Sequence, residues 1–200
     1  MYYDTDIWPL LPNTDVWIYD KLILSRMLGY KCGPCGIPVP FPAHYIVRPI
    51  INLEGQGKGA EKIFIEKDTW HLPYGFFWQE LFKGRHLSID FNNGKQIRCT
   101  EGFRDGESFI HFTRWIQVAD KPTLPNFIND IITRYTDVNV EMIDNNVIEM
   151  HLRKNKDFDD DPIEIIPVWE DREISIPKNF IFCKDTTDER PRLGCYKRYK

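Results

Sequence analysis

The sequence predicts an α+β chain dominated by short antiparallel strands, and three observations carry that prediction. Strand-like runs at residues 45–50, 62–66, 85–91, 96–100 and 109–115 are separated by Gly, Asn and Asp turns. The piece FNNGKQ holds the Asn-Gly pair that closes a tight hairpin. Helical periodicity stands out in only two places, at about 15–28 and just after Pro125.

Composition narrows the class. Two hundred residues, 42% apolar and 28% charged, suffice for a globular domain that buries well over half of its unfolded surface. Lys plus Arg number 26 and Asp plus Glu 30, so the net charge of −4 gives no global field to attract nucleic acid. Any polyanion must be held by a local site. No apolar run approaches the roughly 18 residues that cross a bilayer, and the opening MYYDTDIW carries acids where an export signal carries bases. The expectation is therefore a cytoplasmic protein with neither a membrane nor a nucleic-acid partner. The cysteines, Cys32, Cys35, Cys99, Cys183 and Cys195, are too few and too scattered for a disulfide framework, which fits a reducing compartment. Aromatics at 14% suggest a compact core or a stacking surface.

Along the chain, a helix is expected from about Asp15, as N-cap, to Leu28, with Gly29 as its stop. Trp17, Lys21, Leu24 and Leu28 share one face, and a lysine on that apolar stripe either snorkels to water or meets an anion. The stretch GYKCGPCGIPVPFP reads as a turn followed by extended chain. Its Cys-Gly-Pro-Cys has a dithiol spacing, but the prolines that follow forbid the helix that would activate the first thiol. Beyond Pro125, residues Phe127, Ile128, Ile131, Ile132 and Tyr135 fall on one helical face. Two strands follow, VNVEMI and NVIEMHLR, joined by the turn DNN. The acidic run NKDFDDDP reads as a solvated loop, and the last forty residues mix short strands with a polar tail.

Three stretches could carry chemistry. In INLEGQGKGA, Gly55, Gly57 and Gly59 alternate around Lys58 directly after a strand bearing Arg48. Glycine lets backbone amides approach an anion while cations neutralise it; the plainer alternative is a hairpin turn. In PYGFFWQELFKGRHLSIDF, an aromatic run leads to Glu80 and then to a strand with His86, Ser88 and Asp90. An extended segment between apolar walls can hydrogen-bond a planar base through its backbone, with a carboxylate taking sugar hydroxyls; a buried strand is the alternative. In VEMIDNNVIEMHLRKN, alternation points Glu149, His151 and Arg153 the same way, and an antiparallel partner can bring Glu141 beside Glu149. Paired carboxylates repel unless a cation sits between them, which points to a hard divalent metal; a solvent-facing charged strand is the alternative. The histidines form no H-E-x-x-H pair, and no Gly-x-Ser-x-Gly elbow is present.

In this order the three stretches resemble the ATP-grasp family. The resemblance implies two small antiparallel-sheet lobes with packed helices enclosing a nucleotide cleft. It implies a single minimal unit over residues 1–200, with an N-terminal lobe at about 15–78, a C-terminal lobe at about 79–170 and an extension at 171–200. By the same resemblance ATP is held by Lys21, Arg48, Gly55, Gly57, Lys58, Gly59, Glu80, Leu81, Phe82 and Asp90. Mg²⁺ is held by Glu141, Glu149 and His151, and Arg153 is the catalytic residue facing the transferred group. The implied reaction activates a substrate carboxylate as an acyl phosphate for attack by an amine or other nucleophile. Arg48 stands where a Lys is commoner, His151 where an Asn is usual, and only seven residues separate Glu141 from Glu149. Family members commonly carry a further N-terminal domain, so the resemblance implies a minimal version, either virus- or phage-encoded or dependent on a partner that supplies that domain. Its acceptor pocket would be shaped by a loop at 98–107 and by Arg114. Two other readings stay open on the sequence: a non-enzymatic binding or virion-associated structural protein, and an ATP-using nucleic-acid modification enzyme.

Overall fold

The computed structural model describes residues 3–53, 55, 57–106, 108–172, 175, 177–185 and 191–200, and these build two antiparallel sheets. The smaller sheet contains β1 (Cys32–Pro34), β2 (Ala43–Pro49), β3 (Glu61–Ile65) and β4 (Phe76–Glu80), in the order β1-β4-β2-β3. The larger contains β5 (His86–Asn92), β6 (Lys95–Arg104), β7 (Phe112–Gln117), β8 (Asp137–Ile143), β9 (Asn146–His151), β10 (Glu164–Trp169), β11 (Ile181–Lys184) and β12 (Arg192–Arg198). Its order is β11-β12-β10-β7-β6-β5-β8-β9. Three α-helices accompany them: α1 (Asp4–Ile7), α2 (Lys21–Met27) and α3 (Asn126–Arg134). Residues 81–85 are the link from one sheet to the other. No helix among the described residues is long and apolar enough to cross a membrane.

Strand alternation gives the larger sheet two unlike faces. Leu87, Ile89 and Phe91 of β5 and Val138, Val140 and Met142 of β8 join a core with Ile128, Ile131 and Ile132 of α3. Burying each of those isoleucines is worth about 2 kcal/mol. The intervening residues, His86, Ser88 and Asp90 on β5 and Asn139 and Glu141 on β8, face the other way. The β5–β6 hairpin turns at Asn93 and Gly94, both with positive φ, as the Asn-Gly signal requires.

A bulge makes β9 serve both faces. The β8–β9 register shifts between Glu141 and Met142, so that Glu141 pairs Glu149 while Met142 pairs Val147. Ile148 is the extra residue, and it allows Val147 and Met150 to enter the core while Glu149 and His151 face outward.

The structure corrects several expectations. The helix at 15–28 is broken: residues 16–19 form a 3₁₀ turn, and Asp20 leaves the helical region to accept a hydrogen bond from Ile23 N at 2.7 Å. Asp20, not Asp15, caps α2, because the Asp15 carboxylate is taken by Arg134 and by the Tyr135 hydroxyl. The aromatic run ending at Glu80 takes the alternative left open for it, a buried strand, β4, hydrogen-bonded on both sides. NKDFDDDP is solvated only in part: Asp159, Asp160 and Asp161 are exposed, but Phe158 is fully buried against Ile165 and Cys195, and Asp157 and Asp160 pair with Arg192 and Lys197, each at 2.7 Å. Finally, 98–104 belong to β6 rather than to a loop, and Glu107 lies outside the described residues. Residues 171–200, expected as an extension, supply β11 and β12 to the larger sheet.

Candidate functional site

A cleft with a cavity volume of about 180 Å³, open to solvent, lies between the polar face of the larger sheet and the smaller sheet. From the smaller sheet comes Arg48 on β2, only 8% exposed. Its Nη2 donates to Gln79 Oε1 at 2.8 Å and to the Ile148 carbonyl at 3.0 Å, while its Nε has no hydrogen-bond partner. Burial lowers the pKa of this guanidinium, against the charges of Glu149 and Glu141. Lys21, in the first turn of α2, is also buried, and its Nζ lies 2.9 Å from Glu149 Oε1. The lysine on the apolar stripe meets an anion.

The facing wall is acidic at the surface and basic behind. Glu141 sits directly across from Glu149, and its Oε2 is 3.1 Å from His86 Nε2. Burial would raise the Glu141 carboxyl, but the hydrogen bond and charge of His86, with His151 and Arg153, bring it down to about 2. His151 Nε2 stands 3.4 Å from Glu149 Oε1, and its Nδ1 stands 2.9 Å from Asp4 Oδ2. Burial pushes the His151 pKa down, but the Asp4 and Glu149 charges more than reverse it, and the net direction is upward. Asp4 itself, although burial opposes ionisation, is held well below the usual carboxylate range by His151 and Arg153.

Strand position divides the cleft lengthwise. At the end next to the 81–85 link, Leu81, Phe82 and Ile143 meet a cluster of rings. Phe112 and Trp115 lie 4.4 Å apart, both touch His86, and Arg104 stacks over Phe109 and Phe112 at 5.2 and 5.3 Å. Gly102 makes room for this pair, because a Cβ there would lie 2.7 Å from both rings. Glu141 and Glu149 occupy the middle, with His151, Arg153 and Asn155 beyond. Above them runs the glycine loop, where a Cβ on Gly57 would come 3.1 Å from the Phe109 carbonyl. Glu54 and Gln56 of that loop lie outside the described residues.

No protein-family model and no curated protein matches the sequence. Solved structures do match the fold. Carboxyaminoimidazole ribonucleotide synthase from Aspergillus clavatus, complexed with ATP, aligns with 94% of this chain and 70% of its own, at 10% identity and a TM-score of 0.53. An ATP-grasp superfamily protein from Archaeoglobus fulgidus aligns with 90% of this chain and 64% of its own, at 13% identity and a TM-score of 0.49. The chain has the ATP-grasp fold. D-alanine–D-alanine ligase from Bacillus anthracis, complexed with ATP, also aligns, over 70% of this chain and 56% of its own, at 16% identity and a TM-score of 0.41. This chain thus spans 64% and 56% of the length of the last two.

Of the residues that the ATP-grasp resemblance nominated, Lys21, Arg48, Gly55, Gly57, Lys58, Leu81, Phe82, Glu141, Glu149, His151 and Arg153 line the one cleft. Three do not. Gly59 packs on Pro49 and Phe76. Glu80 turns its Oε1 to the Lys31 amide at 2.9 Å. Asp90 is 2% exposed, and its oxygens are occupied by Arg98, Asn139 and the Asn155 amide. Asp90 is therefore spent on bracing the cleft-lining Asn139 and Asn155. Arg114 also points away, its Nε 2.5 Å from Glu164.

The expected three-ligand metal set is corrected as well. Among the described residues no group of three or more His, Cys, Asp and Glu is arranged to hold a metal ion. His151 has its Nδ1 engaged with Asp4 at 2.9 Å, while its Nε2 lies 3.4 Å from Glu149 Oε1. Asp4, Gln79, Arg104, Phe109, Phe112 and Trp115 were not legible as site residues. The 14% aromatic content was the one available signal for the rings.

Proposed function

We propose that this ATP-grasp chain binds ATP in the cleft and acts as an ATP-dependent ligase. A substrate carboxylate is activated as an acyl phosphate, which an amine or other small nucleophile then attacks. The observation that carries this reading is Arg48, a buried cation whose Nε has no hydrogen-bond partner and which lines the same cleft as Glu141 and Glu149. An orphaned buried donor costs stability, and a bound anion is the group that relieves it.

The chain's residues divide the labour by position. A planar base fits between Leu81, Phe82, Phe112 and the Arg104 guanidinium, where stacking costs no buried charge. Lys21, Arg48, Arg153 and the amides of Gly55 and Gly57 orient the phosphates, and Arg153 meets the transferred group. The donor set fits Mg²⁺ through two carboxylates plus substrate phosphates: in Glu141 the Oε2, and in Glu149 the Oε1, carries the described contacts, which leaves one oxygen of each for the ion. When bound, Mg²⁺ supplies charge neutralisation at the transferred phosphoryl group. Positioning and electrostatics supply the catalysis, with no covalent protein nucleophile.

Thermal unfolding with millimolar ATP and Mg²⁺ tests the binding step, since a ligand at 100 times its Kd stabilises the native state by about 2.7 kcal/mol. An upward shift in Tm is expected, and no shift contradicts the reading. A phosphate-release screen over carboxylates and amines, checked by product mass, then identifies the acceptor.

A further inference from the structure

Asp4 is a buried, fully engaged carboxylate that the proposed chemistry does not use. It is 1% exposed on α1. Its Oδ1 accepts from the Tyr19 hydroxyl at 2.9 Å. Its Oδ2 lies 2.9 Å from His151 Nδ1, 2.9 Å from Arg153 Nε and 2.8 Å from Arg153 Nη2. It is thus a single group from the start of the chain gripping two cleft residues that lie 147 and 149 positions later.

The geometry of Arg153 shows what the grip accomplishes. A guanidinium has five N–H donors in one plane. Asp4 and the Lys154 carbonyl engage three of them through Nε, Nη2 and Nη1, which leaves two for a ligand. Gly55 closes over this group, where a Cβ would lie 3.9 Å from Nη2. Arginine side chains hold much rotamer freedom, so a fixed fork binds an oxyanion at lower entropic cost than a mobile one.

We propose that Asp4 is a positioning residue for the phosphate site, fixing the plane of the Arg153 guanidinium so that its two remaining N–H groups face the phosphates of a bound nucleotide. The inference rests on the nucleotide-binding reading. It assigns to the N-terminal segment a part in ligand recognition that its distance in sequence conceals.

The test compares ATP with adenosine, which shares the base and ribose and lacks the phosphates. In Asp4→Asn the shape and the Tyr19 bond can persist while the charge that holds Arg153 is lost. The expected result by calorimetry is ATP affinity reduced about tenfold, in the range of one charge-assisted hydrogen bond, with adenosine affinity unchanged. General damage to the fold lowers both affinities together and would overturn the proposal. In an Arg153→Gln background, Asp4→Asn should cause no further loss of ATP affinity, whereas an additive loss contradicts action through Arg153. Should Asp4→Asn fail to fold, Arg153→Lys offers the second test, since an ammonium cannot be gripped at two nitrogens: a selective loss of ATP affinity supports the proposal and an unchanged affinity defeats it. If the unmodified protein binds neither ligand, the nucleotide reading falls with this one; if it binds ATP and Asp4→Asn binds equally well, only this one falls.

Discussion

At the link end of the cleft, Arg104 has aromatic rings for neighbours and no described ion pair, whereas from the middle to the far end Lys21, His151 and Arg153 each meet a carboxylate. The first arrangement leaves flat, apolar surface that a planar group can cover without breaking any bond. The second is preorganised at a cost: an incoming phosphate shares its cations with Glu149 and Asp4. The two ends therefore respond to substitution in different currencies, stacking at one and charge pairing at the other.

The largest effect is expected at the charged end. Glu149→Ala strands the buried Lys21, whose side chain is 6% exposed, and removal of one partner of a buried pair costs about 3 kcal/mol, measurable by urea unfolding. A loss below about 0.5 kcal/mol, the range of surface pairs, would mean that Lys21 finds water easily and that this end is not preorganised. A smaller effect is expected at the other end. Phe112→Ala should weaken ATP about fivefold, an aromatic contact of about 1 kcal/mol, and leave inorganic triphosphate unaffected. Equal losses for both ligands would erase the distinction between the ends.

The two ends also differ in what was readable from residues alone. The Asn93-Gly94 hairpin, the α3 face and the cross-strand meeting of Glu141 and Glu149 follow from local period and turn chemistry, and the structure has all three. The bulge at Ile148 was not legible, because nothing in NVIEMH marks which residue is left unpaired. Asp4 was invisible as a site residue for another reason: it meets His151 across 147 positions, and only the packed core sets that distance. The ring cluster was hidden for a related reason: Phe109, Phe112 and Trp115 are near in sequence, but their partners Arg104 on β6 and His86 on β5 come from other strands. The acids of NKDFDDDP read as solvated because their cations, Arg192 and Lys197, sit on a strand far along the chain.

The smallest expected effect concerns pH and again separates the ends. The pKa of His151 is raised above its ordinary 6.5, so its contribution to stability is complete below pH 6.5 and is lost as pH rises through the raised value. Glu141 is depressed from 4.5 to about 2, so its contribution is complete above pH 4.5 and is lost as pH falls toward 2. His151→Gln should flatten the alkaline side of the stability profile and, because the His151 charge also helps to hold Asp4 and Glu141 ionised, shrink part of the acid side as well. A profile unchanged on the alkaline side would show that the Asp4–His151 pair adds nothing to folding.

Titration calorimetry of ATP with Mg²⁺ into the full chain and into Arg48→Ala tests the central claim most directly. One site per chain is expected, with affinity at least about tenfold lower in the variant, as loss of a charge-assisted hydrogen bond requires. Equal affinities, or no heat from either protein at millimolar nucleotide, would contradict the claim that this cleft is a triphosphate site.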